Sequence, residues 1–227
     1  MKINYWQPFI ENGYYHIYNH SVSSKNIFLS HEDYIDFLKK YCTYFSGLFE
    51  TLAFCLMPNH FHFVVKVNSH HTVLEKAKKQ ISNASHSFQE NKCDLNTFIV
   101  DQFRRFFSSF SLSYNYRHKR RGQLFLKRFK RISLDEEFRL AYMICYIHHN
   151  PIHHGFSTSY DSWKYSSYNQ ILAESEIIKK SISTFSFEEL DILSVAEVIP
   201  CFDGIDGFIN SHRNFIIDKE QEINLDY

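Results

Sequence analysis

The stretch Phe54-Cys55-Leu56-Met57-Pro58-Asn59-His60-Phe61-His62-Phe63-Val64-Val65 decides the reading of this chain. Its residues are aromatic, β-branched or long aliphatic, which is strand composition. Met57-Pro58-Asn59 breaks the run at a tight connection, so Phe49 to Leu56 and His60 to Val67 are predicted as two antiparallel strands. Positions two apart on a strand face the same side, so His60 and His62 point together at one spot. Two neutral imidazoles on one rigid strand make half of a metal site and need at least one further ligand from elsewhere. The plainer alternative is a pair of polar residues on the wetter face of a half-buried strand.

Working outward, Gly13 to Asn19 reads as an earlier strand of alternating aromatics, and Ser30-His31-Glu32-Asp33 as a helix start with a serine cap and acids in its first turn. Tyr34, Phe37, Leu38 and Tyr41 follow at helical spacing, giving a helix over 31–46. A helix is expected from Val73 to Phe88 and another from Phe103 to Arg117. Leu124 to Ile132 alternates apolar and basic residues, which predicts a strand with one charged face. Ser133-Leu134-Asp135-Glu136 opens a helix that Asn150-Pro151 is expected to stop near His149. This order predicts an α+β domain around an antiparallel sheet. Beyond Asn169 two helical patterns, Ile171–Ser181 and Phe187–Val198, precede an acidic end at Asp218–Tyr227 that reads as disordered. Residues 1–170 are therefore expected to form the working domain and 171–227 an accessory helical segment.

With 227 residues, 44% hydrophobic and 18% aromatic, the chain can bury a real core. It has no run near the roughly 20 apolar residues of a membrane span, so no membrane partner is expected. Met1 to Pro8 lacks the apolar stretch of a signal peptide, and the expected location is cytoplasmic. Five scattered cysteines without a CxxC pair argue against a disulfide frame or a cysteine zinc site. The formal net charge of zero hides an asymmetry, because residues 171–227 hold twelve acids against four bases. Residues 102–134 contain no acid but carry Arg104, Arg105, Arg117, Lys119, Arg120, Arg121, Lys127, Arg128, Lys130 and Arg131 among aromatics. Such a pattern fits a surface for phosphates and bases as well as a merely solvated cationic face. Beside a metal site, nucleic acid is the stronger reading. The acidic tail could also cover the basic face.

A second motif lies at Tyr146-Ile147-His148-His149-Asn150-Pro151. Tyr146 and Asn150 are four apart on a helix and hence neighbours on one face, a phenol beside an amide oxygen. Tyrosine is a poor nucleophile near neutrality because its pKa is near 10, and a cation that polarises a phosphate repairs that deficit. His148, His149, His153 and His154 sit around the expected helix stop, where hydrogen-bonded or solvent-facing rings are expected rather than a second metal site. Trp163, Ser166 and Ser167 read as a packing and turn element.

Met57-Pro58-Asn59-His60-Phe61-His62-Phe63, then Tyr146 to Pro151, then Trp163-Lys164-Tyr165-Ser166-Ser167-Tyr168 together resemble the REP-associated tyrosine transposases, which belong with the single-tyrosine HUH transposases. Gly13 to Asn19 and Gly122 to Lys130 share the likeness, which covers residues 10–170. The resemblance implies a ferredoxin-like or RRM-like fold and cleavage of single-stranded, hairpin-bearing DNA through a 5'-phosphotyrosine. It implies Tyr146 as nucleophile and His60 and His62 as ligands of a divalent ion, magnesium or manganese, with Asn150 where relatives can place a third ligand. A nucleoid-associated place in the cell and action as a monomer or a homodimer follow from the same likeness. Two rivals remain open, a domesticated DNA-binding protein without cleavage and an HUH replication initiator or relaxase. Nothing in the family pattern corresponds to residues 171–227.

Overall fold

The computed structural model describes residues 4–22, 25–80, 82–134, 137–174, 190 and 192–217. Four strands form one antiparallel sheet: β1 (Tyr14–His20), β2 (Phe49–Met57), β3 (His60–Val67) and β4 (Lys130–Ser133). Their spatial order is β2-β3-β1-β4. Helix α1 (His31–Phe45) connects β1 to β2, and α2 (His70–Lys78), α3 (Asn83–Gln89) and α4 (Leu95–Arg117) lie between β3 and β4. That is the ferredoxin-like arrangement of an α+β fold, as expected from the sequence.

The period-2 alternation of the strands sorts residues onto two faces. Phe61, Phe63 and Ile17 face α1 and α4, where Phe37 lies 5.1 Å from Phe61 and Tyr41 4.1 Å from Phe63 between ring centres. Phe45, Phe103, Phe106, Phe110 and Phe125 complete this aromatic layer, all of them buried. On the opposite face packs α5 (Glu137–His153), against β2 and β3. Helices α6 (Tyr168–Glu174), α7 (Val195–Val198) and α8 (Ile205–Arg213) follow, with a 3-10 turn at Ile199–Phe202 between the last two.

Both sheet edges are covered, which removes the hazard of an open strand. Trp6 bridges Arg131 on the outer side of β4. Ser166 and Leu193 bridge Cys55 and Thr51 on the outer side of β2. Among the described residues no helix is long and apolar enough to cross a membrane.

Several elements differ from the sequence expectation. The helix expected over Val73–Phe88 is two helices, because Ser82 Oγ accepts from the Ser85 N–H at 3.1 Å and starts α3 afresh. The strand expected from Leu124 to Ile132 is confined to Lys130–Ser133. Residues 121–129 instead follow the end of β1 irregularly, through Val22 N–H to Leu124 O and Leu126 N–H to His20 O, both 2.9 Å. Helix α5 does not stop at Asn150 but passes Pro151 for one more turn. Gly155, at φ +72°, lies just past its end, in a conformation that costs glycine nothing. Helix α4 starts at Leu95 rather than Phe103, capped by Asp94, whose carboxylate accepts from the Thr97 N–H at 2.6 Å. Of the two late helical patterns, Ile171–Ser181 is described only as far as Glu174, in α6, and Phe187–Val198 only at 190 and from 192, where α7 is confined to Val195–Val198; the acidic end lies outside the described residues, and α8 had no counterpart in the sequence reading.

Candidate functional site

Strand register assembles the site. Tyr18 stands opposite His62, and His20 opposite His60, across the β1–β3 pair. Alternation then places His16, Tyr18, His20, His60 and His62 on one face, the face covered by α5. Ring centres are 5.0 Å apart for His60 and His62, 4.7 Å for His20 and His60, and 4.8 Å for His16 and Tyr18. From α5, the Tyr146 ring reaches to 6.3 Å from that of His62, edge to face. His154, just beyond the helix, stands 5.5 Å from His60.

Hydrogen bonds fix both strand imidazoles through the same atom. His60 Nδ1 pairs with Asn59 Oδ1 at 2.7 Å, and His62 Nδ1 pairs with His16 Nε2 at 2.9 Å. Both Nε2 atoms are buried without a hydrogen-bond partner, and so is Asn150 Oδ1. Asn150 itself is held by its amide N–H, which donates to Tyr146 O at 3.0 Å. Burial, helped by His20 and His154, pushes His60 down to about 3, the Asn150 side chain working the other way. Burial alone takes His16 down to about 3. His62 is held well below the ordinary imidazole value, first by burial and then by the neighbouring rings. All three rings are therefore neutral near pH 7, the protonation state a cation ligand requires.

Among the described residues no three His, Cys, Asp or Glu side chains are grouped to hold a metal ion. A cation on this face would need an amide as its third protein donor. The donor set of His60 Nε2, His62 Nε2 and Asn150 Oδ1 fits that need: all three atoms are buried without a well-formed hydrogen bond, Asn150 lies beside His60, and His62 Nε2 offers a lone pair when His62 donates from Nδ1 to His16.

The ten basic residues are not one surface. Lys130 stands opposite Tyr18 and hence on the histidine face, with Nζ 5.4 Å from the Tyr18 ring centre and 4.7 Å from that of Tyr5. Its neighbour Arg131 stands opposite Ile17 on the other face and is buried. Its guanidinium donates to Gln7 O and, at 3.1 Å, to Asn96 Oδ1. Arg117 pairs with Glu32, Asp33 and Asp36 on α1, tying α4 to α1. These two are structural cations rather than members of an open phosphate surface, because their donors are engaged inside the fold. Arg105 lies over the Tyr44 ring, and Arg120 bonds Asn115 Oδ1 and Gln123 O. Lys119, Arg121, Lys127 and Arg128 are exposed, as is Arg104, which pairs with Asp101.

Arg104, Lys127 and Arg128 line a cleft of about 930 Å³ between α4 and residues 123–131. Phe107, Phe125 and Phe129 contribute to its walls, and Trp6 stands at its margin beneath Arg128, 5.9 Å from the guanidinium. Strand β4 separates this cleft from the histidine face.

The remaining histidines divide as expected. His148 is buried and His149 half-buried, both hydrogen-bonded, whereas His153 and His154 are exposed. Trp163 Nε1 donates to Leu56 O at 3.1 Å, and Ser167 bonds the Phe54 backbone, so this element packs along β2. The sequence reading missed His16, Tyr18 and His20. The signal was present, because His16-Ile17-Tyr18-Asn19-His20 carries the same two-residue period that singled out His60 and His62.

No family model matches the chain, and no curated protein matches it. Among solved structures the chain is similar to a REP-associated tyrosine transposase bound to a REP hairpin. That likeness has 14% sequence identity and a TM-score of 0.49, covering 76% of this chain and 86% of the other.

Proposed function

We propose that this chain cleaves and rejoins single-stranded DNA at hairpin-bearing sites through a covalent link to Tyr146. The observation that carries the reading is the Tyr146 ring against that of His62, with Asn150, four residues on along the same helix, beside His60. In the step, the Tyr146 oxygen bonds to the scissile phosphorus and the bond to the 3'-oxygen breaks. The phenol proton is lost to solvent and the departing 3'-oxygen takes one up. Reversal onto another 3'-hydroxyl rejoins the strand without ATP. A divalent cation, magnesium or manganese, held by His60, His62 and Asn150 would supply the positive charge that the reacting phosphate needs.

Lys130, on the histidine face, would meet a phosphate near the tyrosine. Lys127, Arg128, Arg104, Lys119 and Arg121 would hold the flanking strand or hairpin, with the exposed Trp6 ring at the cleft margin offering stacking worth roughly 1–3 kcal/mol per base. One observation favours a second reading, DNA binding without cleavage: Tyr146 is only 1% exposed. Incubation with labelled hairpin oligonucleotides and manganese separates the two. A covalent adduct with the wild-type chain, absent in Tyr146→Phe, supports cleavage. Full cleavage by Tyr146→Phe overturns it, and tight binding without any adduct selects the second reading.

A further inference from the structure

The back of the tyrosine helix carries a buried chain of polar groups that runs through three elements. His212 Nδ1 lies 2.8 Å from Phe208 O within α8. His212 Nε2 lies 2.8 Å from His148 Nδ1 on α5. His148 Nε2 lies 2.7 Å from Ser167 Oγ, and the Phe54 N–H of β2 donates to that oxygen at 2.9 Å. His148, His212 and Ser167 are all at most 1% exposed.

The direction of every bond follows from one end. A carbonyl oxygen only accepts, so His212 carries its proton on Nδ1 and, as a neutral ring, offers a lone pair at Nε2. His148 must then donate from Nδ1, which leaves its Nε2 to accept from the Ser167 hydroxyl. Ser167 in turn accepts from Phe54. Each ring then meets a partner of the opposite kind, the Ser167 hydroxyl having Phe54 O at 3.3 Å as a second, longer acceptor, and reversing either histidine would set two protons or two lone pairs face to face in a buried site.

His148 is two residues from both Tyr146 and Asn150, about 200° around a helix of 3.6 residues per turn. The face of α5 that meets α8 is therefore opposite the face that meets the histidines. We infer that His212, acting through His148 and Ser167, is a positioning residue that fixes the rotation of α5 so that Tyr146 and Asn150 face His62 and His60. The C-terminal helix α8 then belongs to the working site. The inference rests on the reading of Tyr146 as nucleophile only for its effect on rate, not for its geometry.

Two variants of the full chain test it. His212→Phe keeps an aromatic ring but offers no acceptor to His148, whereas His212→Gln restores one. Nitrogen-15 NMR should find His148 protonated on Nδ1 in the wild type and in His212→Gln. The nuclear Overhauser contact between the Tyr146 and His62 rings should persist in both and be lost in His212→Phe. In the oligonucleotide assay His212→Phe should lower the rate constant of adduct formation about tenfold to a hundredfold with little change in KM for DNA, and His212→Gln should recover it. If His212→Phe does not fold, Ser167→Ala and its conservative partner Ser167→Thr replace the pair, read by the Tyr146–His62 ring contact and the adduct rate, since His212 still holds the His148 proton on Nδ1 in both. A His148 ring protonated on Nε2 in the wild type overturns the proposal, as does a folded His212→Phe that keeps the ring contact. Absence of any wild-type adduct would defeat the nucleophile reading alone, since the two NMR measurements still decide the positioning role.

Discussion

His16 Nε2 lies 2.9 Å from His62 Nδ1, joining β1 to the histidine pair of its neighbour β3. For His62 Nε2 to present a lone pair, His62 must donate from Nδ1 and His16 must accept at Nε2. His16 accepting in this way would hold His62 in the form a cation needs, the role that a hydrogen-bonding partner behind a metal-ligating imidazole ordinarily plays.

Replacing His16 by phenylalanine should keep the ring volume and remove that selection. Manganese affinity of the full chain, followed by electron paramagnetic resonance titration, is expected to fall by about 10–100-fold. An unchanged affinity would show that His16 only fills space.

The exposed cations should behave differently from the internal ones. Lys127→Ala, Arg128→Ala and Arg104→Ala are each expected to weaken hairpin binding uniformly across sequences. Each should reduce the slope of log affinity against log salt by about 0.7–1. Fluorescence anisotropy at several salt concentrations measures this, and an unaltered slope would remove the cleft from the DNA path.

Asp33, fully buried, accepts from the Leu29 and Ser30 N–H groups at 2.9 and 3.1 Å and from Arg117 and His118. Burial alone would raise its carboxyl, but the His118, Leu29 and Arg117 bonds outweigh that and hold it below the usual carboxylate range. A carboxyl depressed by folding stabilises the fold above its ordinary pKa and loses that contribution as pH falls through the folded value. Asp33→Ala should cost about 1–3 kcal/mol at pH 7, because it removes the acceptor of the Leu29 and Ser30 N–H groups and one of the three carboxylates around Arg117. The deficit relative to wild type should shrink below pH 4 in urea titrations.

His212 gives a second acid sensitivity with the opposite chemistry. Burial, countered by its bond to Phe208 O, takes it down to about 4. Below the ordinary imidazole value the unfolded chain binds a proton that the folded chain refuses, so stability falls as pH drops from about 6.5 towards 4. The slope through this one ring is about 1.4 kcal/mol per pH unit. His212→Gln should be less stable at pH 7 yet flatter across that interval. An equally steep profile for the variant would place the acid sensitivity elsewhere.

Sequence alone determined the sheet, most of its helices and the pairing of His60 with His62, because these depend on alternation and helical spacing, which are local. The spacing of Tyr146 and Asn150 was legible for the same reason. Tertiary structure decided the rest. Strand register brought His16, Tyr18 and His20 beside the histidine pair, and no single-strand pattern specifies which residues stand opposite one another. The same register turned Lys130 to the histidine face and Arg131 into the core, although the two are adjacent in a uniformly basic run. Helix α5 outlived its proline because packing and a glycine one turn later outweighed a local stop signal. The link from His212 through His148 to Ser167 spans 64 and 19 residues, and only the folded chain brings such distant groups within hydrogen-bond reach.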